Sequence, residues 1–382
     1  MTHTRTGIEL LLERKLYENA TVGLITNPTG TLPNGKATWR ALIEAGYSLK
    51  ALFGPEHGFR GDAQAGDEVT DEVFRGIQTY SLYKIRWKPE PEMLENLDAL
   101  LYDIQDVGCR WYTYLYTLAY AMEVCEQTGT KVVVLDRPDP IDATQVEGGP
   151  IDARYDNFVG GYGLPSRYGM TVGEFAVYLQ KHYFPGLDLD VVWMEGYNRS
   201  SYFEETRLPW PLPSPNLPTV DAALLFSGTC LVEGTNLSEG RGTTRPFELI
   251  GAPWIDGEQL RDRMSDYDLA GVVFSHLFFT PTFHKQAGEL CEGVLIHVTD
   301  RRAVSPVRVG LTVLYEIRRL SGDNFAWREL RDGHDQLPID RLAGGPDLRG
   351  WIEQGAKPDE LYERFTSGQG EFEEKRKPAL HY

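Results

Sequence analysis

Leu52-Phe53-Gly54-Pro55-Glu56-His57-Gly58-Phe59-Arg60-Gly61 decides how this chain is read. The apolar run from Ser48 to Phe53 has the composition of a buried strand, and Gly54-Pro55 stops it. A carboxylate and an imidazole follow at once, between glycines. Open α/β sheets place their ligand crevices at the C-terminal edges of their strands. Glu56 is therefore a candidate general acid or base, and His57 a candidate to orient it or to bind substrate.

The same grammar recurs three times. Thr21 to Thr26 runs into Asn27-Pro28-Thr29-Gly30, Leu97 to Ile104 into Gln105-Asp106-Val107-Gly108-Cys109-Arg110, and Lys131 to Leu135 into Asp136-Arg137-Pro138-Asp139-Pro140. Helical spacing of apolar residues fills the intervals Ile8–Tyr17, Thr38–Ala45 and Leu115–Gln127. Strands alternating with helices predict βαβ units and a parallel sheet. Four polar clusters then converge on one sheet edge.

Length and charge narrow the function. A chain of 382 residues has room for about two domains. Five prolines between Leu208 and Pro218 rule out a helix or an interior strand and mark a stiff connector, which divides the chain into domains at 1–207 and 208–382. The net charge of −18 argues against nucleic acid and against an anionic membrane surface as partners. No apolar run is long enough to span a bilayer. The N-terminus lacks a signal-peptide core, so a cytoplasmic location is expected unless a leader preceded this sequence. Cys109, Cys125, Cys230 and Cys291 are widely spaced and read as reduced structural thiols, without zinc spacing. No G-x-G-x-x-G follows the first strand, so no dinucleotide is expected. No metal or other cofactor is expected either.

Carboxylates mixed with aromatics suit a sugar, whose hydroxyls need acceptors and whose apolar ring face needs stacking. Asp103, Gln105, Asp106, Arg110, Tyr112 and Tyr114 form one such group. The segment Gly228–Phe247 forms another, with Glu233, Asn236, Glu239, Arg241, Thr243 and Arg245 in a long polar loop. Its arginines suit an anionic group held in bidentate fashion. His284, Lys285 and Glu289 are candidates to line a cleft, whereas Glu174 and Asp256 read as helix caps.

Taken together, Thr26–Gly30, Phe53–Arg60, Asp103–Tyr114, Val134–Pro138, Pro213–Pro218, Glu233–Pro246 and Ile339–Gly344 resemble the ordered motifs of the NamZ-type exo-β-N-acetylmuramidases, long described only as a domain of unknown function. The resemblance covers nearly the whole chain. It implies a Rossmann-like N-terminal domain, a second, smaller α/β domain and an active site in the cleft between them. It also implies release of N-acetylmuramic acid from the non-reducing ends of peptidoglycan fragments, with Glu56 as the favoured catalytic residue. Tyr168 stands where the family pattern usually has a histidine.

The reading that results is a glycoside hydrolase acting on a small sugar substrate, with Glu56 as general acid. Asp106 or Glu239 would be the second carboxylate, unless the substrate's own acetamido group attacks. Asn27, His57, Arg60, Asp103, Gln105, Arg110, Tyr112, Tyr114, Glu233, Asn236, Arg241, Thr243 and Arg245 are the candidate binding residues. A muropeptide-binding sensor without turnover and an enzyme that cleaves the lactyl group are the alternatives. Oligomeric state is not legible.

Overall fold

The computed structural model describes residues 3–64, 66–330 and 335–382. The first half holds strands β1 (Thr21–Thr26), β2 (Ser48–Gly54), β3 (Glu72–Phe74), β4 (Ile77–Ser81), β5 (Ala99–Asp103), β6 (Lys131–Leu135) and β7 (Leu189–Val192). Its helices are α1 (Gly7–Glu13), α2 (Thr38–Glu44), α3 (Pro91–Leu94), α4 (Tyr114–Thr128) and α5 (Val172–His182). The strands form one sheet in the order β3-β4-β2-β1-β5-β6-β7, parallel except for β3. The four strands expected from apolar runs are its centre. The weaker β3, β4 and β7 extend it at both edges.

Alternation along each strand feeds two cores. Val22, Leu24, Ala99, Leu101, Val133 and Leu135 face a layer with α1 and α2. Ile25, Phe53, Leu100, Tyr102, Val132 and Val134 face the layer holding α4 and α5. Helices on both faces of a parallel sheet explain why its strands read as unbroken apolar runs. The first helix stops at Glu13, short of the expected Tyr17, and Lys15 and Tyr17 take positive φ angles of 53° and 59°. Thr171 caps α5 with Glu174 in a capping box, as its spacing predicts.

The second half has α6 (Val220–Thr229), β8 (Leu249–Ala252), α7 (Gly257–Ser265), β9 (Val272–Phe279), β10 (Cys291–Val298) and α8 (Pro306–Ser321). Its antiparallel sheet runs β8-β10-β9. Four short helices follow, α9 (Pro338–Ala343), α10 (Asp347–Glu353), α11 (Pro358–Phe365) and α12 (Gln369–Arg376). The end of the chain then returns to the first half. Arg376 donates to the carbonyls of Ala143 and Tyr168, and the Tyr382 hydroxyl donates to Asp136 at 2.6 Å. No helix among the described residues is long and apolar enough to cross a membrane.

Candidate active site

A cleft of about 1080 Å³ opens beside the C-terminal end of β2 and is walled by both halves and by the proline-rich connector. Glu56 reaches it because β2 ends in a tight turn. The Gly58 N–H donates to the Pro55 carbonyl at 2.9 Å, and His57 takes a left-handed φ of 69°. A side chain at Gly54 would meet the Phe59 amide nitrogen at 2.4 Å, so only glycine lets the loop fold back so closely. The strained backbone at His57 is held by its own ring, whose Nδ1 lies 2.8 Å from the Ala63 carbonyl.

Glu56 is only 9% exposed, yet it lines the cleft. The Thr113 hydroxyl donates to Oε2 at 2.8 Å, and the Gly66 N–H donates to Oε1 at 3.3 Å. Thr113 is the N-cap of α4, so the carboxylate also sits at the positive end of that helix. The neighbouring wall is rigid. The Tyr112 hydroxyl donates to the Pro213 carbonyl at 2.6 Å, and the Tyr114 hydroxyl reaches the same oxygen at 3.4 Å. These bonds bring Ser214 and Asn216 of the connector into the cleft.

The second half contributes Phe226, Glu233, Arg241, Phe247, His284 and Arg328. Arg241 Nε lies 3.0 Å from Glu233 and 3.3 Å from Glu239. Glu239 is fully buried behind this wall, with Lys285 Nζ at 2.7 Å and His284 Nδ1 at 3.0 Å. Burial alone would push its carboxyl up, but Lys285, His284 and Arg241 together hold it well below the usual carboxylate range. Burial in turn draws the Lys285 ammonium down.

Of the residues expected in the site, Glu56, His57, Tyr112, Tyr114, Glu233 and Arg241 line the cleft together, with His284. The others lie elsewhere. Asp103 is sealed in the core, paired with Arg137 through Nε at 2.5 Å and Nη2 at 3.0 Å. Strand β5 ends at Asp103, so the expected alternation does not continue to Gln105 and Asp106. Gln105 donates to the Asp106 and Pro138 carbonyls. Asp106 accepts from the Tyr168 hydroxyl and, at 2.7 Å, from the Gly108 N–H. Burial pushes its carboxyl up to about 6.

Arg110 is also sealed in the core. It donates to the carbonyls of Gly149, Leu164, Leu342 and Ala343, so its guanidinium is a strut and not an anion receptor. Asn27 closes its own loop by accepting from Thr29, and Thr243 donates to the Gly240 carbonyl. Asn236 is tied to the Asn324 carbonyl and the Ala326 N–H. Arg60 and Arg245 are exposed and pair with Glu72 and Glu248. Tyr168 likewise supports Asp106 from within the core. All four strand-end clusters do gather at one sheet edge, but the polar residues Asp103, Gln105, Asp106 and Arg110 plug it, while Glu56 and His57 after β2 and Tyr112 to Tyr114 beyond β5 open into the cleft.

Thr113, Asn216, Trp87 and Phe158 line the cleft and were not picked out from sequence. Thr113 had a usable signal, a hydroxyl residue just before a helical pattern. Trp87 and Phe158 sit in irregular segments with no periodicity to mark them.

Comparison with known proteins bears on this geometry. The family model described as exo-beta-N-acetylmuramidase NamZ, N-terminal, matches residues 22–221, and the corresponding C-terminal model matches 224–382. The peptidoglycan beta-N-acetylmuramidase NamZ of Bacillus subtilis is 45% identical over 383 residues, 99% of this chain and 91% of that protein. Two crystal structures of DUF1343 family proteins from Bacteroides fragilis share the fold. One has a TM-score of 0.89 at 33% identity over the whole of both chains. The other has a TM-score of 0.77 at 27% identity, covering all of this chain and 99% of that one.

Proposed function

This chain belongs to the NamZ exo-β-N-acetylmuramidase family, and from that membership we propose that it hydrolyses the terminal β-N-acetylmuramyl bond of peptidoglycan fragments with Glu56 as general acid. The observation that carries the role of Glu56 is its carboxylate in the cleft wall, aimed by Thr113 at the N-terminus of α4. A general acid must be held within reach of the leaving oxygen, and this one is fixed by two hydrogen bonds.

The proton of Glu56 passes to the glycosidic oxygen as the bond to the anomeric carbon breaks. Water, or first the substrate's acetamido oxygen, then takes the anomeric position. Tyr112 and Tyr114, buried and tied to the Pro213 carbonyl, fix the wall beside Glu56, and Arg241 and Arg328, both hydrogen-bonded to Glu233, are the arginines of the second half that a lactyl carboxylate would meet. Asp106 is sealed off from the cleft, and Glu239 reaches it only through Arg241 and His284. An attacking carboxylate from either position would need the wall to open.

The test is release of chromophore from para-nitrophenyl β-N-acetylmuramide, with the N-acetylglucosaminide as control. Wild type turns over the muramide selectively, and on a muramyl-terminated disaccharide, whose sugar leaving group needs protonation, Glu56→Gln loses about 10²–10⁴-fold in kcat while keeping its fold. Survival of disaccharide hydrolysis in Glu56→Gln would refute this role. Failure of folded wild type to cleave either glycoside would favour a sensor or a lactyl-cleaving enzyme.

A further inference from the structure

Two aromatic runs leave the Glu56–Thr113 pair in different directions. One passes from Trp111 to Phe226 (6.3 Å between ring centroids), then to Phe247 (4.7 Å), over which the Arg241 guanidinium lies at 5.0 Å. The other follows α4 away from Thr113. Tyr116 and Tyr120 lie one and two turns along that helix and pack on Phe158 at 6.1 and 5.8 Å. Phe158 packs on Trp87 at 4.5 Å, and Lys88 pairs with Glu123 of α4 at 2.7 Å.

An α-helix rises about 1.5 Å per residue, which places Tyr120 about 10 Å and Glu123 about 15 Å beyond Thr113 along the axis. Trp87 remains 41% exposed although it lies in the cleft wall. An indole left open in the cleft wall beside this stretch of α4, rimmed by Lys84, Lys88, Glu123 and Asn157, matches a sugar ring. The ring's apolar face would stack on the indole, and its hydroxyls would meet the polar rim.

Resting on the muramidase reading above, the geometry points to a binding platform for the leaving glycan, built on Trp87 and Phe158 beside α4. An exo-acting enzyme holds one sugar on the near side of the acid, and the rest of the chain must extend beyond it. The opposite wall, where Arg241 pairs with Glu233 beside His284, carries the polar groups that would hold the terminal muramyl unit. The α4 flank, where Lys88 and Glu123 neutralise each other, takes the units that follow. Trp87 is thus a determinant of fragment length and takes no part in bond cleavage.

The experiment compares kcat/KM on a muramyl-terminated tetrasaccharide with kcat/KM on the para-nitrophenyl muramide. The ratio of the two falls about tenfold in Trp87→Ala, through KM, and returns in Trp87→Tyr. Equal losses on both substrates, or no change in the ratio, would overturn the platform. A loss confined to peptide-bearing fragments would overturn it as well, in favour of a stem-peptide site. Calorimetric titration of the tetrasaccharide into Glu56→Gln, with and without Trp87→Ala, reads the platform without turnover. Absent hydrolysis by wild type would therefore refute the muramidase reading alone, while unchanged binding in the double variant would refute the platform.

Discussion

Asp106→Asn separates a buried structural carboxyl from a catalytic one. Asp106 accepts from the Tyr168 hydroxyl and the Gly108 N–H at Oδ2, the Val107 N–H also favours its charged form, and its Oδ1 makes no further hydrogen bond among the described residues. Burial pushes the carboxyl from 3.8 up to about 6. That rise corresponds to about 3 kcal/mol of native-state destabilisation once the group is charged. The native state binds this proton more tightly than the unfolded chain does. Its contribution is therefore complete below the unfolded value of 3.8 and is lost as pH climbs through about 6.

Asparagine keeps an acceptor for both donors and carries no charge. Its amide NH₂ takes the unpartnered position at a cost of about 1 kcal/mol. The variant is then about 2 kcal/mol more stable than wild type above about pH 7. Asp139, itself pushed up to about 7 by burial and in part by Asp106, is relieved in the same direction. Thermal unfolding of both proteins between about pH 4.5 and 8 reads the effect. Asp106→Asn melts a few degrees higher at the alkaline end, and the advantage vanishes or reverses at the acid end. Hydrolysis persists. A variant that is less stable at neutral pH, or that loses turnover while folded, would refute the reasoning and return Asp106 to the reaction.

Asp103→Asn behaves in the opposite way. It strands the buried Arg137 guanidinium and costs about 3–5 kcal/mol in denaturant unfolding, while activity per folded molecule is retained. Thr113→Val removes a hydrogen bond to a carboxylate, worth about 1.5–3 kcal/mol, and lowers kcat by about ten- to a hundredfold. Thr113→Ser restores most of it, which loss of helix capping alone would not predict if both variants melt alike.

The central strands were legible because burial on both faces leaves an unbroken apolar signature in β1, β2, β5 and β6. Glu56 stood out as a candidate because a carboxylate and an imidazole follow a strand end between glycines, and the structure places it in the cleft wall. Short edge strands such as β3, three residues long, leave no comparable pattern. Nor do Trp87 and Phe158, whose role depends on meeting across an irregular cleft wall.

What the sequence by itself determined was the parallel α/β sheet, the family and the edge on which polar residues gather. All of these follow from local composition and from motif order. Which polar residues face the cleft was decided by tertiary structure alone. Asp103, Asp106 and Arg110 have the same chemistry as Glu56 and Arg241, and nothing local marks them as plugs. Their partners, Arg137, Tyr168 and the carbonyls near Leu342, lie 34, 62 and 232 residues away. A charged side chain becomes a core strut or a cleft group according to whether such a partner arrives to replace water, and that is settled only when the chain closes on itself.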